Sequence, residues 1–394
     1  MSTEEILNKL VSYKTVSGNF AETIELLDFA DNLLTDCGFH VTRFVTKGYP
    51  SLLASTHKSN LKTPRICLAS HVDVVKATDD LFKVKRTKEK LSGRGVFDMK
   101  FALAAYLNFV QQISSHVQDY DLGIMITSDE EIGGANGVRW LIDDYGYRPT
   151  FTILPDHGNH DFWNIEKSSR GIIDLRVVAK GKSGHSSRAW EGENAITKLG
   201  KYLYHLNEAN FKYQGPTTST FSINQIKGGL APTLTQVPDY AEAYLDFRFK
   251  DQADRDLLMA EIHRLAKMYD VIIDEVLVDG PVHTVDLKNP FVRELTGTIE
   301  EVTRTKIGYV DAYGTTDARY FDNHALQCVV PGLPGGGHHG DDEWIDRKAI
   351  KQFDEVLRQY IEKVARYDTP FLTSRVKSTT IKEFRPETVA SPKL

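Results

Sequence analysis

An α/β protein carrying an inserted α+β unit is what this sequence predicts, on three observations. Short apolar runs alternate with segments of helical periodicity between His40 and Leu154, the pattern of strands joined by helices. A βαββαβ succession then runs from Ile172 to Val278, after which the alternating style returns beyond Pro290. Acids and histidines gather where apolar runs end or helices begin: Ser70-His71-Val72-Asp73, Gly93 to Lys100, and Thr127 to Gly134. In open α/β sheets ligands bind outside the carboxyl ends of the strands, so polar clusters there are placed for chemistry.

Taken in order, apolar spacing predicts helices over 3–13 and 21–37, with Ser2 or Thr3 and Ser17 or Asn19 as caps. Short β-rich runs follow at 40–46 and 51–56. A buried strand leads into His71, a helix opens after Asp98, a strand runs into Ser128, a helix covers 137–145 and a strand covers 151–154. This succession implies a mainly parallel sheet covered on both faces. The inserted unit reads as strands 172–179, 219–226, 241–249 and 271–278 with helices 194–206 and 254–268, a ferredoxin-like arrangement. Helix 291–303, strands 307–310 and 326–330, and an amphipathic helix 346–367 complete the first domain. The division expected is 1–176 with 287–394 for the first domain and 177–286 for a second domain inserted into it. The Pro-bearing, polar residues 368–394 read as a surface tail.

With 394 residues, 41% of them hydrophobic, the chain can bury a large core. A formal charge of −6 makes no electrostatic case for nucleic acid or an anionic membrane, which leaves small molecules or peptides as ligands. Cys37, Cys67 and Cys328 are odd in number and widely spaced, two of them within apolar runs, so free buried thiols in a reducing compartment are expected. The start is neither basic nor apolar enough for a secretory signal, and no apolar run could span a bilayer, so the expected location is the cytoplasm.

Imidazoles combined with carboxylates at strand ends suit zinc and related divalent ions. The proposed ligands are His71, Asp98, Glu131, Asp156 and His339, five donors that can hold two ions with one carboxylate shared. Each alone is more often an ordinary surface or satisfied polar group; the set carries the argument. The adjacent acids Glu130 and Glu131 diverge, so one can bind metal while its neighbour faces the metal-bound water. Asp73, two residues beyond His71 on an extended segment, can support the imidazole. A magnesium-dependent phosphoryl transferase fits less well, because two histidines are poor magnesium ligands and no phosphate loop is visible. A non-catalytic binding protein on the same fold would be expected to have lost ligands, and none is lost.

With these residues in view, the chain resembles the zinc peptidase and deacylase family of succinyl-diaminopimelate desuccinylase, acetylornithine deacetylase, aminoacylase and the glutamate carboxypeptidases. The matching motifs are His71-x-Asp73, Gly93-x-Gly95-x-x-Asp98-Met99-Lys100, Asp129-Glu130-Glu131, Asp156, and His339-x-x-Asp342-Glu343. The resemblance implies two zinc ions, with cobalt or manganese as substitutes. It implies one ion on His71, Asp98 and Asp156, the other on Asp98, Glu131 and His339, and Glu130 as the general base for a metal-activated water. It also implies that residues 1–176 with 287–394 form the catalytic domain and that the inserted residues 177–286 form a lid and dimerisation domain, with His185 of Gly184-His185-Ser186-Ser187 reaching the partner's site in a homodimer. Asn194, Arg248, Thr315 and Arg319 fall where the family contacts substrate, which implies an N-acyl amino acid or a small peptide. The chain departs from the family at Phe101-Ala102, Ala189 and Thr235; Asp156 is commoner in the dipeptidase branches, whereas Arg170-Gly171 and the Thr315 loop look like the deacylases.

Overall fold

The computed structural model describes residues 1–210, 218–229 and 234–368, so the sequence-predicted tail falls outside the described residues apart from Asp368. A nine-stranded sheet orders its strands His40–Thr46, Tyr49–Ser55, Leu122–Thr127, Ile66–His71, Phe151–Ile153, Gln327–Gly332, Asn164–Ser169 and His283–Thr284, with Gly308–Asp311 also paired to Asn164–Ser169. Its centre is parallel, as the alternating pattern requires: Leu122–Thr127, Ile66–His71, Phe151–Ile153 and Gln327–Gly332 all run the same way. The flanks add antiparallel pairs, with Gly308–Asp311 alone running parallel to its flank partner Asn164–Ser169, which makes the sheet mixed. Hairpin reversals at Lys47-Gly48 account for one flank, since a two-residue turn can join only antiparallel neighbours.

Every residue of Ile66–His71 and of Leu122–Thr127 is buried, so both faces of the central strands are covered and the strands read as unbroken apolar runs. The helix Lys100–Ile113 packs against Thr3–Ser12 and Arg347–Val364. Lys100 is itself fully buried, and its Nζ donates to the carbonyls of Leu10 (3.1 Å) and Tyr13 (2.9 Å), tying the first helix to the start of the third. Helix starts follow the caps. Ser2 Oγ accepts from Glu5 N while Glu5 Oε2 accepts from Ser2 N, a reciprocal box, and Asp346 accepts from Ala349 N.

Register places the chemistry. His71 pairs with Thr127, and Ile153 pairs with both Leu68 and Val329, so the segments after these strands leave the sheet at one edge. A small sheet of Gly335–Gly336, Trp344–Asp346, Lys90–Ser92 and Lys85–Arg86 then clamps the loop after Gly336 beside the one leading to Asp98.

At Arg170 the chain passes from the large sheet into a second, fully antiparallel one ordered Thr220–Gly228, Tyr240–Phe249, Gly171–Lys180, Val271–Gly280, and it returns between Gly280 and His283. Helices Ala195–Asn210 and Gln252–Tyr269 cover this sheet around Leu175, Val177, Leu199, Leu206, Ile262 and Leu265, a core separate from that of the large sheet. That strand order is the one a ferredoxin-like βαββαβ succession produces.

A candidate metal centre at the sheet edge

His71 ends its strand with the imidazole buried; its Nδ1 lies 3.0 Å from the Asp73 carbonyl and 3.5 Å from Asp73 Oδ1. Its Nε2 lies 3.1 Å from Asp98 Oδ1 and 3.9 Å from Asp156 Oδ1. The other oxygen of Asp98, Oδ2, is 2.7 Å from His338 Nε2 and 3.1 Å from His339 Nε2, and His339 Nε2 is 3.0 Å from Glu131 Oε2. Asp98 therefore faces histidines on two sides. The donors form two groups, Asp98 with His338 and His339, and His71 with Glu130 and Asp156, the atoms of each lying within 4.8 Å of one another.

Main-chain amides hold this arrangement. Asp73 spends its carboxylate on the amides of Glu130 (3.2 Å) and Glu131 (3.1 Å) and on Ser17 Oγ (3.0 Å), which fixes the turn bearing both glutamates. Asp129 caps the next turn through Asn136 N and Gly137 N. Gly133 and Gly134 follow with φ of 103° and 64°, and a Cβ at Gly134 would overlap the Asp317 carboxylate, so glycine is required there. Glu343 accepts from Arg94 NH1 (2.8 Å) and from the amides of Gly95, Phe97 and Asp98, pinning the loop that presents Asp98.

Burial opposes a charge on His71, yet Asp156, Asp73 and Asp98 outweigh it and raise the imidazole well above its ordinary range. Burial likewise opposes a charge on Asp98, but His338, His339 and His71 hold it well below the usual carboxylate range. Glu130 goes the other way: burial, then the nearby Asp156, pushes its carboxyl well up. The donor set of imidazoles and carboxylates, with Asp98 facing both groups, fits two divalent cations, whose binding would displace the imidazole protons.

All five expected ligands converge with Glu130 and Asp73. His338 joins them although the sequence reading passed over it; nothing in a His-His doublet tells which ring will turn inward. Glu343 supplies more of the local scaffold than its place at the end of a motif conveys.

The expected substrate residues divide. A cleft of about 500 Å³ is lined by Glu130, Asp156, Arg248, Thr315 and His339, among others. Arg248, half-buried on strand Tyr240–Phe249, donates to Asp246 (2.8–3.1 Å) and to Thr315 Oγ1 (3.3 Å). Arg319 is buried and donates to the carbonyls of Thr316 and Gly133 (both 2.8 Å), bracing the turn after Glu131. Asn194 Oδ1 accepts from Thr197 N as the cap of its helix. His185 is exposed, accepts from Ser187 N and is not among the residues lining the cleft of its own chain.

A family model described as peptidase family M20/M25/M40 matches residues 67–363, a span that takes in every ligand named above. The chain belongs to this family. Succinyl-diaminopimelate desuccinylase of Sulfurimonas denitrificans is 25% identical over 92% of this chain and 99% of its own length. The protein of the same name from Paracoccus denitrificans is 27% identical over 84% and 91%. Among solved structures, a tripeptidase from Staphylococcus aureus superposes with a TM-score of 0.73 at 17% identity, covering 92% of this chain and 98% of that one. An M20 family metallo-carboxypeptidase from Sulfolobus solfataricus gives 0.71 at 17%, covering 92% and 100%. Membership of M20/M25/M40 makes this chain a metal-dependent hydrolase with the family's α/β fold.

Proposed function

We propose that the protein is a di-zinc amidohydrolase that cleaves an amide next to a free carboxylate, in an N-acyl amino acid or a short peptide. The observation carrying this is Asp98, whose two carboxylate oxygens reach His71 on one side and His338 with His339 on the other. His71, Asp98 and Asp156 would hold one ion; Asp98, Glu131 and His339 would hold the second. Bound ions would supply Lewis-acid polarisation of the carbonyl and a water of lowered pKa.

Glu130 takes the proton from the attacking water and delivers it to the leaving nitrogen. Arg248 leaves Asp246 to hold the substrate carboxylate in a planar fork, with Thr315 as its neighbour. Arg319 serves the same end from beneath by fixing the Gly133 turn.

Residues 177–286 act as a lid and pair with a second copy. Exposed Ile196, Tyr204, Ile226 and Tyr240 on the elements of this region support a partner there. His185 then reaches the partner's cleft and polarises the scissile carbonyl. The three buried free cysteines support residence in a reducing compartment.

Metal analysis combined with a panel of acyl amino acids and dipeptides, each as free acid and amide, tests the reading. It expects bound divalent ions and turnover confined largely to the free acids. A protein that binds no such ion after loading, or that turns over amidated compounds equally, overturns it.

A further inference from the structure

Glu166 stands at the centre of a fully paired stretch of strand, opposite Val310 on one neighbour and Val330 on the other. Its side chain is 1% exposed. A buried carboxylate is costly unless its oxygens are satisfied, and the protein shows how that is done at Glu343, which gathers Arg94 and three main-chain amides. Glu166 is treated differently. Oε1 accepts from Gly158 N at 2.8 Å, while Oε2 has no partner among the described residues.

The same residue lines the cleft that holds Glu130, Asp156 and Arg248. Arg248, which lines the same cleft, is forked onto Asp246; Lys167, the next residue along, turns to Asp311 at 2.8 Å; and the His338 ring nearby pairs with Asp98 at 2.7 Å. Glu166 belongs to neither donor group able to hold a metal. Burial pushes its carboxyl up to about 7, with Gly158 N and His338 opposing the rise and Asp156 adding to it.

We propose that Glu166 receives a primary ammonium group of the substrate. The substrates are then amides that carry an ammonium as well as a carboxylate, such as short peptides with a free amino terminus or N-acyl diamino acids. The assignment rests on the amide-hydrolase reading and narrows it. An ammonium repays the buried charge with a charge-assisted hydrogen bond, whereas an uncharged substrate leaves Oε2 unpaired.

Two matched pairs test this on metal-loaded enzyme: glycyl-leucine against acetyl-leucine, and Nα-acetyl-lysine against Nα-acetyl-norleucine. The members of each pair differ by a single ammonium group. In the wild type the ammonium member of at least one pair has a kcat/KM at least about tenfold higher, carried by KM, and in Glu166→Gln that ratio falls to within about twofold. Equal kcat/KM within both pairs in the wild type, or a Glu166→Gln variant that lowers both members in proportion, overturns the assignment. Calorimetric titration of Glu130→Gln with the same four compounds separates the two readings. Binding that favours the ammonium members without hydrolysis by the wild type supports Glu166 and removes the hydrolase reading, whereas hydrolysis with no such preference removes Glu166 alone.

Discussion

The two sheets hold their functional side chains by different means. At the edge of the large sheet, acids are fixed by main-chain amides: Asp73 by Glu130 and Glu131, Asp129 by Asn136 and Gly137, Glu343 by Gly95, Phe97 and Asp98. On the small sheet, Arg248 rests on the Asp246 side chain and on Thr315 Oγ1. Amide-held groups cannot exchange partners without moving the backbone, whereas side-chain pairs can be replaced by a ligand. On the proposed function, the first region keeps a metal geometry and the second gives up its contacts to substrate.

Removing a scaffold acid should therefore do the greatest harm. Glu343→Ala leaves Arg94 buried without its carboxylate, and denaturant unfolding should show a loss of about 3–5 kcal/mol together with loss of bound metal. A loss below about 1 kcal/mol would mean that Glu343 is not what holds the Asp98 loop.

On the side of the small sheet the effect should appear in turnover, with stability kept. His185→Ala should lower kcat by about 10²–10³-fold with the melting temperature little changed, as for removal of one oxyanion donor. Mixing His185→Ala with Glu130→Gln should restore activity through hybrid dimers if the histidine serves the other subunit. A fully active monomer in light scattering would contradict that role.

Arg248→Lys sharpens the contrast further. A lysine keeps the charge but loses the fork, so KM for free-acid substrates should rise about tenfold while amidated compounds change little. An equal change for both would move the carboxylate contact elsewhere.

The smallest effect concerns pH. Asp174 pairs in register with Asp246, and burial together with that like charge pushes its carboxyl up to about 7. Its folded pKa lies above the unfolded value near 3.8, so the stability it contributes is complete below about pH 4 and is lost as pH rises through about 7. Asp174→Asn should raise the melting temperature at pH 8 relative to wild type more than at pH 5. The same shift at both values would show that Asp174 does not titrate in this range.

Much of this site is legible in the sequence because its ligands sit directly after strands whose unbroken apolar runs mark them as central. His71, Glu131 and Asp156 are of this kind. The scaffold is less legible. Lys90–Ser92 and Trp344–Asp346 are three residues each, too short for a periodic signal, yet their pairing brings Glu343 to the Asp98 loop. Asn164–Ser169 is polar by composition and carries no strand pattern, although it is paired on both sides. The antiparallel flanks depend on which neighbours close the sheet, which alternation along the chain does not encode. Arg319 falls where the family contacts substrate, and its burial against Gly133 follows from a contact between segments far apart in the chain.

The account stands or falls on Glu130 acting as base beside metals held by other residues. Metal content and turnover of Glu130→Gln, measured on the same preparation, test this most directly. The predicted result is wild-type metal content with kcat lowered by about 10²–10⁴-fold. Retained turnover, or loss of metal in step with activity, would contradict it.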